Sequence, residues 1–353
     1  MKPGAGGWWV LELDKVIGGM VPRPAREAVE ILIDHLDLNA GDPRPGSVVE
    51  GYIREVVRIT SRAVLGVDRP GWVTAGASEG NLLALYALRE MGFRRVLLFD
   101  TAHYSVLKAA RILGLEHKVL DTNGGRPSMS EVLAEVREGD IIVATVGTTQ
   151  EGLVDPVGAL ASIAAEAGAA VHVDAAYAGY IARYLTVKAK FKLDPPIYTL
   201  VVDAHKLPEA PPPAGIILSC CGEVLDRMWF TAPYIPSGRQ FGVLGTRPGG
   251  PIAAAAHILR NLDSQGFETI AEDLMERARR LVTSARDLGF EPAVEPEVPV
   301  VCLKHPNIEA LMSRLENLGL QAYRCPRYGG VRAVFLYSTR VEEYLDAFER
   351  ALG

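Results

Sequence analysis

The sequence predicts an α/β protein built on a mostly parallel β-sheet, and three observations support this class. Between about residues 70 and 220, short β-rich runs alternate with helical patterns. Runs such as residues 96–99 and 141–145 are apolar throughout, which is typical of strands buried on both faces of a sheet. The 353 residues are 48% hydrophobic and 23% charged, an ordinary composition for a globular protein.

The predicted elements follow one another in a regular order. Two helices come first, at residues 22–36 and 47–65, and Ser47 with Glu50 forms a capping box at the start of the second. Strands of the sheet are predicted at residues 71–74, 96–99, 141–145, 171–173, 200–202 and 215–219. Helices between them are predicted at residues 79–91, 104–113, 130–137 and 157–167. This alternation is the pattern that parallel strand connections require.

From about residue 251 the pattern predicts a second, smaller α+β unit. Its helices are predicted at residues 251–262, 268–288, 307–318 and 341–352, and its strands at residues 298–303 and 333–337. We therefore divide the chain into an N-terminal segment (1–45), a large α/β domain (46–250) and a small C-terminal α+β domain (251–353).

Charge and hydropathy argue against several classes of protein. The net charge is −6 and there is no block of Lys and Arg, which argues against nucleic-acid binding. No run of 18 uncharged apolar residues predicts a membrane span. Glu12 and Asp14 interrupt the apolar N-terminus, which argues against a signal peptide. We therefore expect a cytoplasmic protein without a metal site, whose cysteines are buried reduced thiols: Cys220, Cys221, Cys302 and Cys325.

The strongest chemical signal lies at the end of the strand predicted at residues 200–202. Residues 201–206 read Val-Val-Asp-Ala-His-Lys, so His205 and Lys206 directly follow a buried strand. A partly desolvated lysine has a lowered pKa, and its neutral amine can attack an aldehyde. Schiff-base chemistry at Lys206 is one interpretation, and an exposed loop lysine is the other.

Asp174 ends a second predicted strand and is followed by two small residues, Ala175 and Ala176. An aspartate at this place can hydrogen-bond a ring nitrogen and keep it protonated, while the small side chains leave room for a flat ring. The alternative interpretation is a helix N-cap, for which aspartate is also favoured.

Three further strand ends carry polar groups. Residues 74–80 form a small-residue turn before a helix, which suits a phosphate cradle or a plain capped turn. His103 follows another strand and has either a stacking or a structural role. Residues 146–152 supply hydroxyl groups near Thr145, or form a simple turn. The carboxyl ends of parallel strands share one edge of the sheet, so the five features together suit a phosphorylated pyridine aldehyde.

The same segments resemble the pyridoxal-phosphate-dependent group II amino-acid decarboxylases, particularly their archaeal tyrosine/aspartate decarboxylase branch. HVDAAYAGY at residues 172–180 resembles the family's HVDAA-F-GG, and DAHK at 203–206 with PPPAG at 211–215 resembles D-HK with PIPAG. TAGASEGNL at 74–82 is similar to TSGGTEAN, and GTRPGG at 245–250 is similar to GTRSG. The resemblance implies the fold type I of pyridoxal-phosphate-dependent transferases, with a seven-stranded sheet, pyridoxal 5'-phosphate as cofactor and a homodimer with shared active sites.

The resemblance also implies roles for residues around the cofactor ring. Lys206 would bind the cofactor as a Schiff base, and Asp174 would pair with the pyridinium nitrogen. His103 would stack on one face of the ring, and Ala176 would pack on the other. Hydroxyl groups near the ring are implied at Thr145 and Thr148.

Phosphate and substrate contacts are implied at further positions. Ala77, Ser78 and His205 would bind the phosphate. Thr246 would reach the phosphate of the partner subunit. Arg332, expected at the head of the last strand, would take a carboxylate of the substrate.

Departures from the branch pattern are mild at the phosphate segment, where Ala77-Ser78 replaces Gly-Thr, and larger on the substrate side. Residues 20–25 read Met-Val-Pro-Arg-Pro-Ala where the branch has M-C-T-x-P-H, and a family histidine is replaced near Ser338. The resemblance implies decarboxylation of an L-amino acid, tyrosine or aspartate, to its amine and CO2. Two alternatives remain open: another pyridoxal-phosphate reaction, such as that of a carbon–carbon lyase, desulfurase or aminotransferase, and an inactive relative with a binding role.

Overall fold

A computed structural model describes residues 15–20, 22–262 and 264–353 of the chain. The residues on which the signal-peptide prediction depends, Glu12 and Asp14, lie outside the described residues, as does Val21 of the altered segment. The N-terminal part contains β1 (Val16–Ile17), α1 (Arg26–Asp34) and α2 (Val48–Leu65).

The predicted capping box of α2 is present. The hydroxyl oxygen of Ser47 accepts a hydrogen bond from the N–H of Glu50 at 3.3 Å. The helix ends at Gly66, whose φ of 79° is the left-handed conformation that a glycine adopts at little cost. By contrast α1 begins only after Pro24, four residues later than the pattern predicts.

The large unit is an alternation of strands and helices. It contains β2 (Gly71–Thr74), α3 (Ala77–Glu90), β3 (Arg95–Phe99), α4 (Tyr104–Ile112), β4 (Glu116–Leu120), β5 (Thr122–Asn123), β6 (Arg126–Pro127), α5 (Met129–Glu135), β7 (Asp140–Thr145), α6 (Val157–Ala167), β8 (Ala170–Asp174), α7 (Ala182–Leu185), β9 (Ile197–Asp203) and β10 (Gly215–Ser219). A 3-10 turn lies at Val187–Ala189.

Seven strands form the main sheet in the order β2-β10-β9-β8-β7-β3-β4. Strand β10 is antiparallel to both of its neighbours, and the other neighbouring pairs are parallel. The predicted class of fold is therefore confirmed. Within this seven-stranded sheet, the strand that the pattern missed is β4, an edge strand of sequence Glu-His-Lys-Val-Leu in which only Leu120 is buried. An exposed edge strand needs no apolar run, so its sequence carries no such signal.

The remainder of the chain forms a hairpin, a short helix, four longer helices and a second sheet. Its elements are α8 (Gly222–Asp226), β11 (Trp229–Thr231), β12 (Arg239–Phe241), α9 (Gly250–Asn261), α10 (Ser264–Arg286), β13 (Glu291–Pro292), β14 (Val300–Lys304), α11 (Ile308–Asn317), β15 (Gln321–Ala322), β16 (Arg324–Cys325), β17 (Gly330–Val334) and α12 (Val341–Leu352). A 3-10 turn lies at Pro326–Tyr328.

The second sheet is antiparallel, in the order β13-β14-β17-β16. Strand β17 begins at Gly330 rather than at the predicted residue 333, because it pairs with β14 from Gly330 to Val334. Arg332 consequently lies in the middle of this strand and not at its head, which corrects the expectation from the sequence. Its partner in the β14 register is Cys302.

Two contacts change the expected division of the chain. Helix α9 packs against α1 and α2, so we infer that the boundary of the small domain lies one helix later than residue 250. Strand β1 pairs in parallel with β15, which joins residues 16–17 of the N-terminal segment to the small unit. Glycine is required at Gly18, because a Cβ there would lie 1.9 Å from the carbonyl oxygen of Arg332.

The cysteine prediction is wrong for three of the four residues. Cys302 and Cys325 form a disulfide, with their Cα atoms 6.1 Å apart, and Cys221 is exposed rather than buried. The two bonded cysteines flank β17 at Gly330, where a Cβ would come within 2.9 Å and 3.0 Å of the two sulfur atoms. The missing side chain of Gly330 leaves the room that the disulfide occupies. Only the sheet register brings these cysteines together, so their spacing in sequence gave no signal.

The described residues contain neither a candidate membrane span nor a candidate metal cluster. None of the helices in this part of the chain has both the length and the apolar character that crossing a membrane would require. Within the same residues, no group of three or more His, Cys, Asp or Glu side chains is arranged to hold a metal ion.

Candidate active site

A cavity of about 180 Å³ lies at the carboxyl ends of the central strands. Met20 of the N-terminal segment and Val300 of β14 also line it, so three parts of the chain meet there. The residues predicted from the sequence that line the cavity are His103, Thr145, Thr148, Asp174, Ala176, Lys206 and Arg332. Side chains that are far apart in sequence are thus brought to one edge of the sheet, as the strand-end argument predicts.

Lys206 follows β9 closely and pairs with the carboxylate that ends this strand. Its Nζ lies 3.2 Å from Oδ2 of Asp203, and Asp203 is only 3% exposed. The Oδ1 atom of Asp203 accepts the N–H of Ala77 at 2.7 Å, which links β9 to the start of α3. No role was predicted for Asp203, although it lies three residues before Lys206 in the segment that carries the strongest signal.

The residues predicted to bind phosphate surround the start of α3. The Nδ1 atom of His205 accepts the N–H of Ala214 at 3.2 Å, and a Cβ on Gly76 would lie 3.4 Å from its ring. Ser78 is exposed in the first turn of α3. The N–H of Ala77 already has Asp203 as its acceptor, so a phosphate contact there requires that this hydrogen bond be shared or released. The phosphate roles stay predictions.

Asp174 is buried and held by two donors. Its Oδ1 accepts the N–H of Ala176 at 3.1 Å, and its Oδ2 accepts the side-chain amide of Asn81 at 2.9 Å. This arrangement fixes the plane of the carboxylate at the wall of the cavity. Asn81 comes from α3 and was missed in the sequence, where it appears only as the Asn of the TAGASEGNL segment.

His103 caps α4 and borders the same cavity. Its Nδ1 lies 2.8 Å from the hydroxyl of Ser105 and accepts the N–H of Ser105 at 3.4 Å. Burial lowers the pKa of His103, with the charge of Asp174 opposing and that of Lys206 reinforcing this effect. A neutral imidazole is therefore favoured at this wall.

Thr145 and Asp155 form a buried pair, of which only Thr145 was predicted from the sequence. The N–H of Thr145 donates to Oδ2 of Asp155 at 2.7 Å. Burial raises the pKa of Asp155 to about 7, although this hydrogen bond opposes the shift. The hydroxyl of Thr145 is buried and has no hydrogen-bond partner among the described residues. Pyridoxal phosphate is held by a lysine amine and by a carboxylate that pairs with its ring nitrogen, and Lys206 and Asp174 supply these groups on one cavity. The unpartnered hydroxyl of Thr145 leaves a further polar group on the same wall, so the residues fit this cofactor.

Arg332 brings the small sheet to the cavity. Its Nε donates to the carbonyl oxygen of Gly18 at 3.0 Å, and Nη1 donates to the carbonyl oxygen of Thr149 at 3.3 Å. The guanidinium lies 5.2 Å from the centre of the Tyr323 ring. Burial lowers the pKa of Arg332, but a guanidinium stays charged in proteins. Among the residues that line the cavity, Arg332 and Lys206 are the cations.

Positions at which the chain departs from the branch pattern meet at Glu209. The carboxylate accepts the N–H of Arg23 at 2.9 Å, the N–H of Ser338 at 2.8 Å and the hydroxyl of Ser338 at 2.7 Å. Glu209 is 5% exposed and has a φ of 54°, a left-handed conformation that is strained for a residue with a side chain. The altered segment, the loop after Lys206 and the replaced histidine position are thus parts of one cluster.

Thr246, like Ala77, Ser78 and His205, is a predicted site residue that does not line the cavity. It is exposed, in a loop whose neighbours Val243 and Leu244 donate their N–H groups to Oε1 of Glu79. Arg247 pairs with the same Glu79 at 3.3 Å. The start of α3 therefore anchors the loop that presents Thr246 to solvent.

Comparison with known proteins identifies the family. Residues 48–305 match the model of the pyridoxal-dependent decarboxylase conserved domain. A probable L-aspartate decarboxylase of Halobacterium salinarum is 34% identical over 312 residues, 87% of each chain. A probable L-tyrosine/L-aspartate decarboxylase of Methanopyrus kandleri is 32% identical over 364 residues, 96% of each chain. The chain therefore belongs to the pyridoxal-dependent decarboxylase family, and it is a pyridoxal-phosphate-dependent amino-acid decarboxylase.

Solved structures agree with the fold. A glutamate decarboxylase of Lactobacillus brevis superimposes with a TM-score of 0.83 at 18% identity, over 96% of this chain and 87% of that one. A sphingosine-1-phosphate lyase of Burkholderia pseudomallei gives 0.82 at 19% identity, over 96% and 85%. The fold type and the family predicted from the sequence are confirmed.

Proposed function

We propose that this decarboxylase acts on L-aspartate, releasing its α-carboxylate as CO2 and leaving β-alanine. The observation that carries the proposal is Arg332, a buried guanidinium on the wall of the cavity. A side-chain carboxylate would neutralise this charge through paired hydrogen bonds, whereas the side chain of tyrosine carries no charge that could do so. The Halobacterium relative, named as a probable aspartate decarboxylase, supports the same choice. L-Tyrosine is the second candidate, because the Methanopyrus relative carries both substrates in its name.

Different residues of the cavity have different roles in the proposed reaction. Pyridoxal phosphate, when bound, supplies an electron sink for the bond that breaks. Lys206 would bind its aldehyde carbon and give way to the substrate amine, and Asp174 would hold a proton on its ring nitrogen. Arg332 would fix the side chain of the substrate, while Met20 and Val300 exclude water around the α-carboxylate.

We also propose a homodimer in the cytoplasm, with Thr246 reaching into the partner's site. Thr246 is exposed, away from the cavity of its own subunit, and lies beside the exposed apolar Val243 and Leu244. Mixing a Lys206→Ala subunit with a Thr246→Glu subunit tests this arrangement, because one site of the mixed dimer keeps both residues. Restored activity on mixing is expected. Sedimentation as a monomer, or no restoration, would contradict the shared site.

The substrate is tested by mass spectrometry of the products. The purified protein with pyridoxal phosphate is incubated with a mixture of L-amino acids, and a Lys206→Ala variant is the control. We expect β-alanine to appear as aspartate is lost. Tyramine in its place would favour the second candidate. A keto acid without any amine would contradict decarboxylation.

A further inference from the structure

A continuous chain of buried polar side chains connects β9 to the two walls of the cavity. It runs from Thr199 through His172 to Asn81, where it divides. One branch reaches Asp174, and the other reaches His103 through Ser105. Thr199, His172, Asn81 and Ser105 are each 0% exposed, so the hydrogen bonds of this chain have no competition from bulk water.

The direction of every hydrogen bond in this chain follows from Asp174. A carboxylate can only accept, so the Asn81 atom 2.9 Å from Oδ2 must be the amide nitrogen. The second hydrogen of the same nitrogen points to the hydroxyl oxygen of Ser105 at 2.9 Å. The carbonyl oxygen of Asn81 then faces Nε2 of His172 at 2.8 Å.

His172 completes one end of the chain as a neutral donor. Burial lowers the pKa of His172 to about 4, so the ring carries one proton at neutral pH. Because the carbonyl of Asn81 can only accept, that proton lies on Nε2. The bare Nδ1 accepts the hydroxyl hydrogen of Thr199 at 2.9 Å. The amide of Asn81 is thereby locked at both of its ends.

His103 completes the other end. The oxygen of Ser105 accepts from Asn81 and donates its own hydrogen to Nδ1 of His103 at 2.8 Å. The N–H of Ser105, which can only donate, also points to this nitrogen at 3.4 Å. Nδ1 is therefore bare, and a neutral His103 holds its proton on Nε2.

We propose that Asn81 is a positioning residue. By donating to both Asp174 and Ser105, it orients the carboxylate of Asp174 and, through Ser105, determines which ring nitrogen of His103 carries the proton. The two groups would contact different parts of the cofactor, and their proton positions are set together before it binds. The catalytic consequence rests on the proposed function. The proton order, meaning which ring nitrogen of His103 and of His172 is protonated, is a property of the protein without cofactor.

The first experiment measures the proton order directly. Nitrogen-15 spectra of histidine-labelled, cofactor-free protein distinguish a bare ring nitrogen from a protonated one, and a His103→Gln variant assigns the signals. We expect His103 and His172 both as the Nε2–H form at neutral pH. A proton on Nδ1 of His103, or exchange between the two tautomers, would overturn the proposal whether or not the enzyme decarboxylates aspartate.

The second experiment removes the link. Asn81→Leu leaves only the long hydrogen bond from the N–H of Ser105 to favour a bare Nδ1, so the Nδ1–H tautomer of His103 should become detectable. In this variant kcat should fall by about 10- to 100-fold with KM within about threefold, as the loss of an orienting partner does elsewhere. Ser105→Ala keeps the backbone N–H but loses the hydroxyl, so the Nδ1–H tautomer should again become detectable while Asp174 stays held, with a smaller fall in kcat. Thr60→Val is the matched control, because Thr60 makes an equally buried hydroxyl hydrogen bond, with Tyr180 at 2.8 Å, outside the chain of side chains.

The outcomes of these variants separate the proposal from a purely structural role. Unchanged spectra and kcat in Asn81→Leu would contradict it, as would an equal loss in Thr60→Val. If Asn81→Leu does not fold, Ser105→Ala decides, since an unchanged His103 signal in that variant overturns the link. If both histidines show the expected Nε2–H tautomer but the protein yields no amine, the proposed function is refuted and the proton order is not.

Discussion

The two sides of the cavity are built in different ways. On the cofactor side, His103, Thr145, Asp174 and Lys206 each follow or end a strand of one sheet. On the substrate side, Met20, Val300 and Arg332 come from the N-terminal segment and the small sheet. The cofactor side is thus local to one domain, whereas the substrate side exists only where separate parts of the chain meet.

This difference shows where the chain is free to change. The motifs of the cofactor side are retained, while the altered segment and the replaced histidine lie on the substrate side. Glu209 joins Arg23 to Ser338, so these departures contact one another through a single carboxylate. These departures therefore belong to one hydrogen-bonded cluster, which is separate from the strand ends.

The largest effect is expected from Lys206→Ala on the cofactor side. Without the amine there is no covalent link to pyridoxal phosphate, and turnover should fall by at least about 10³-fold. Borohydride reduction followed by mass spectrometry measures the link. A reduced adduct on another lysine, with activity retained, would refute the assignment.

Cys302→Ser tests how much the disulfide, which lies in the sheet that carries Arg332, contributes to the stability of the protein. Closing a loop of 23 residues contributes about 3 kcal/mol to the free energy of unfolding, and the variant should lose about this amount. Denaturant unfolding measures the loss, and Cys325→Ser should match it. Thiol titration of the unfolded, unreduced protein should find only Cys220 and Cys221. Four reactive thiols would show that the disulfide does not form in solution.

Arg332→Leu should separate substrate binding from cofactor binding. Hydrogen bonds to a charged group contribute about 1.5–3 kcal/mol, so KM for aspartate should rise about 10- to 100-fold while the affinity for pyridoxal phosphate stays unchanged. Arg332→Lys, which keeps the charge but not the planar donor pair, should recover part of the loss. An equal loss of cofactor affinity would contradict the division of the cavity into two sides.

Glu209→Gln is expected to have the smallest effect. The amide keeps the shape but turns one acceptor oxygen into a donor, which then faces the N–H of either Arg23 or Ser338, at a cost of about 1–2 kcal/mol in unfolding free energy. Because Met20 lies near Arg23, KM should rise a few-fold with kcat unchanged. Steady-state kinetics measure this. Glu343→Gln, which weakens the partly exposed ion pairs of Glu343 with Arg23 and Arg340, is the control and should change less.

Much of the fold and the cofactor side could be predicted from the sequence, because their signals are local. The capping box at Ser47, the six apolar strands and the placing of Asp174 and Lys206 at strand ends depend on residues close together in the chain. The edge strand at Glu116–Leu120 could not be predicted, since an exposed strand has no apolar run.

The sequence by itself determined which residues stand at the strand ends and which cofactor they suit. Only the tertiary structure decided their partners: Asp203 on the N–H of Ala77, Asn81 between Asp174 and Ser105, and Cys302 bonded to Cys325 across Gly330. The physical reason is that periodicity and capping act over a few residues, whereas these contacts depend on sheet register and on packing between distant segments. A single sequence holds no local trace of either.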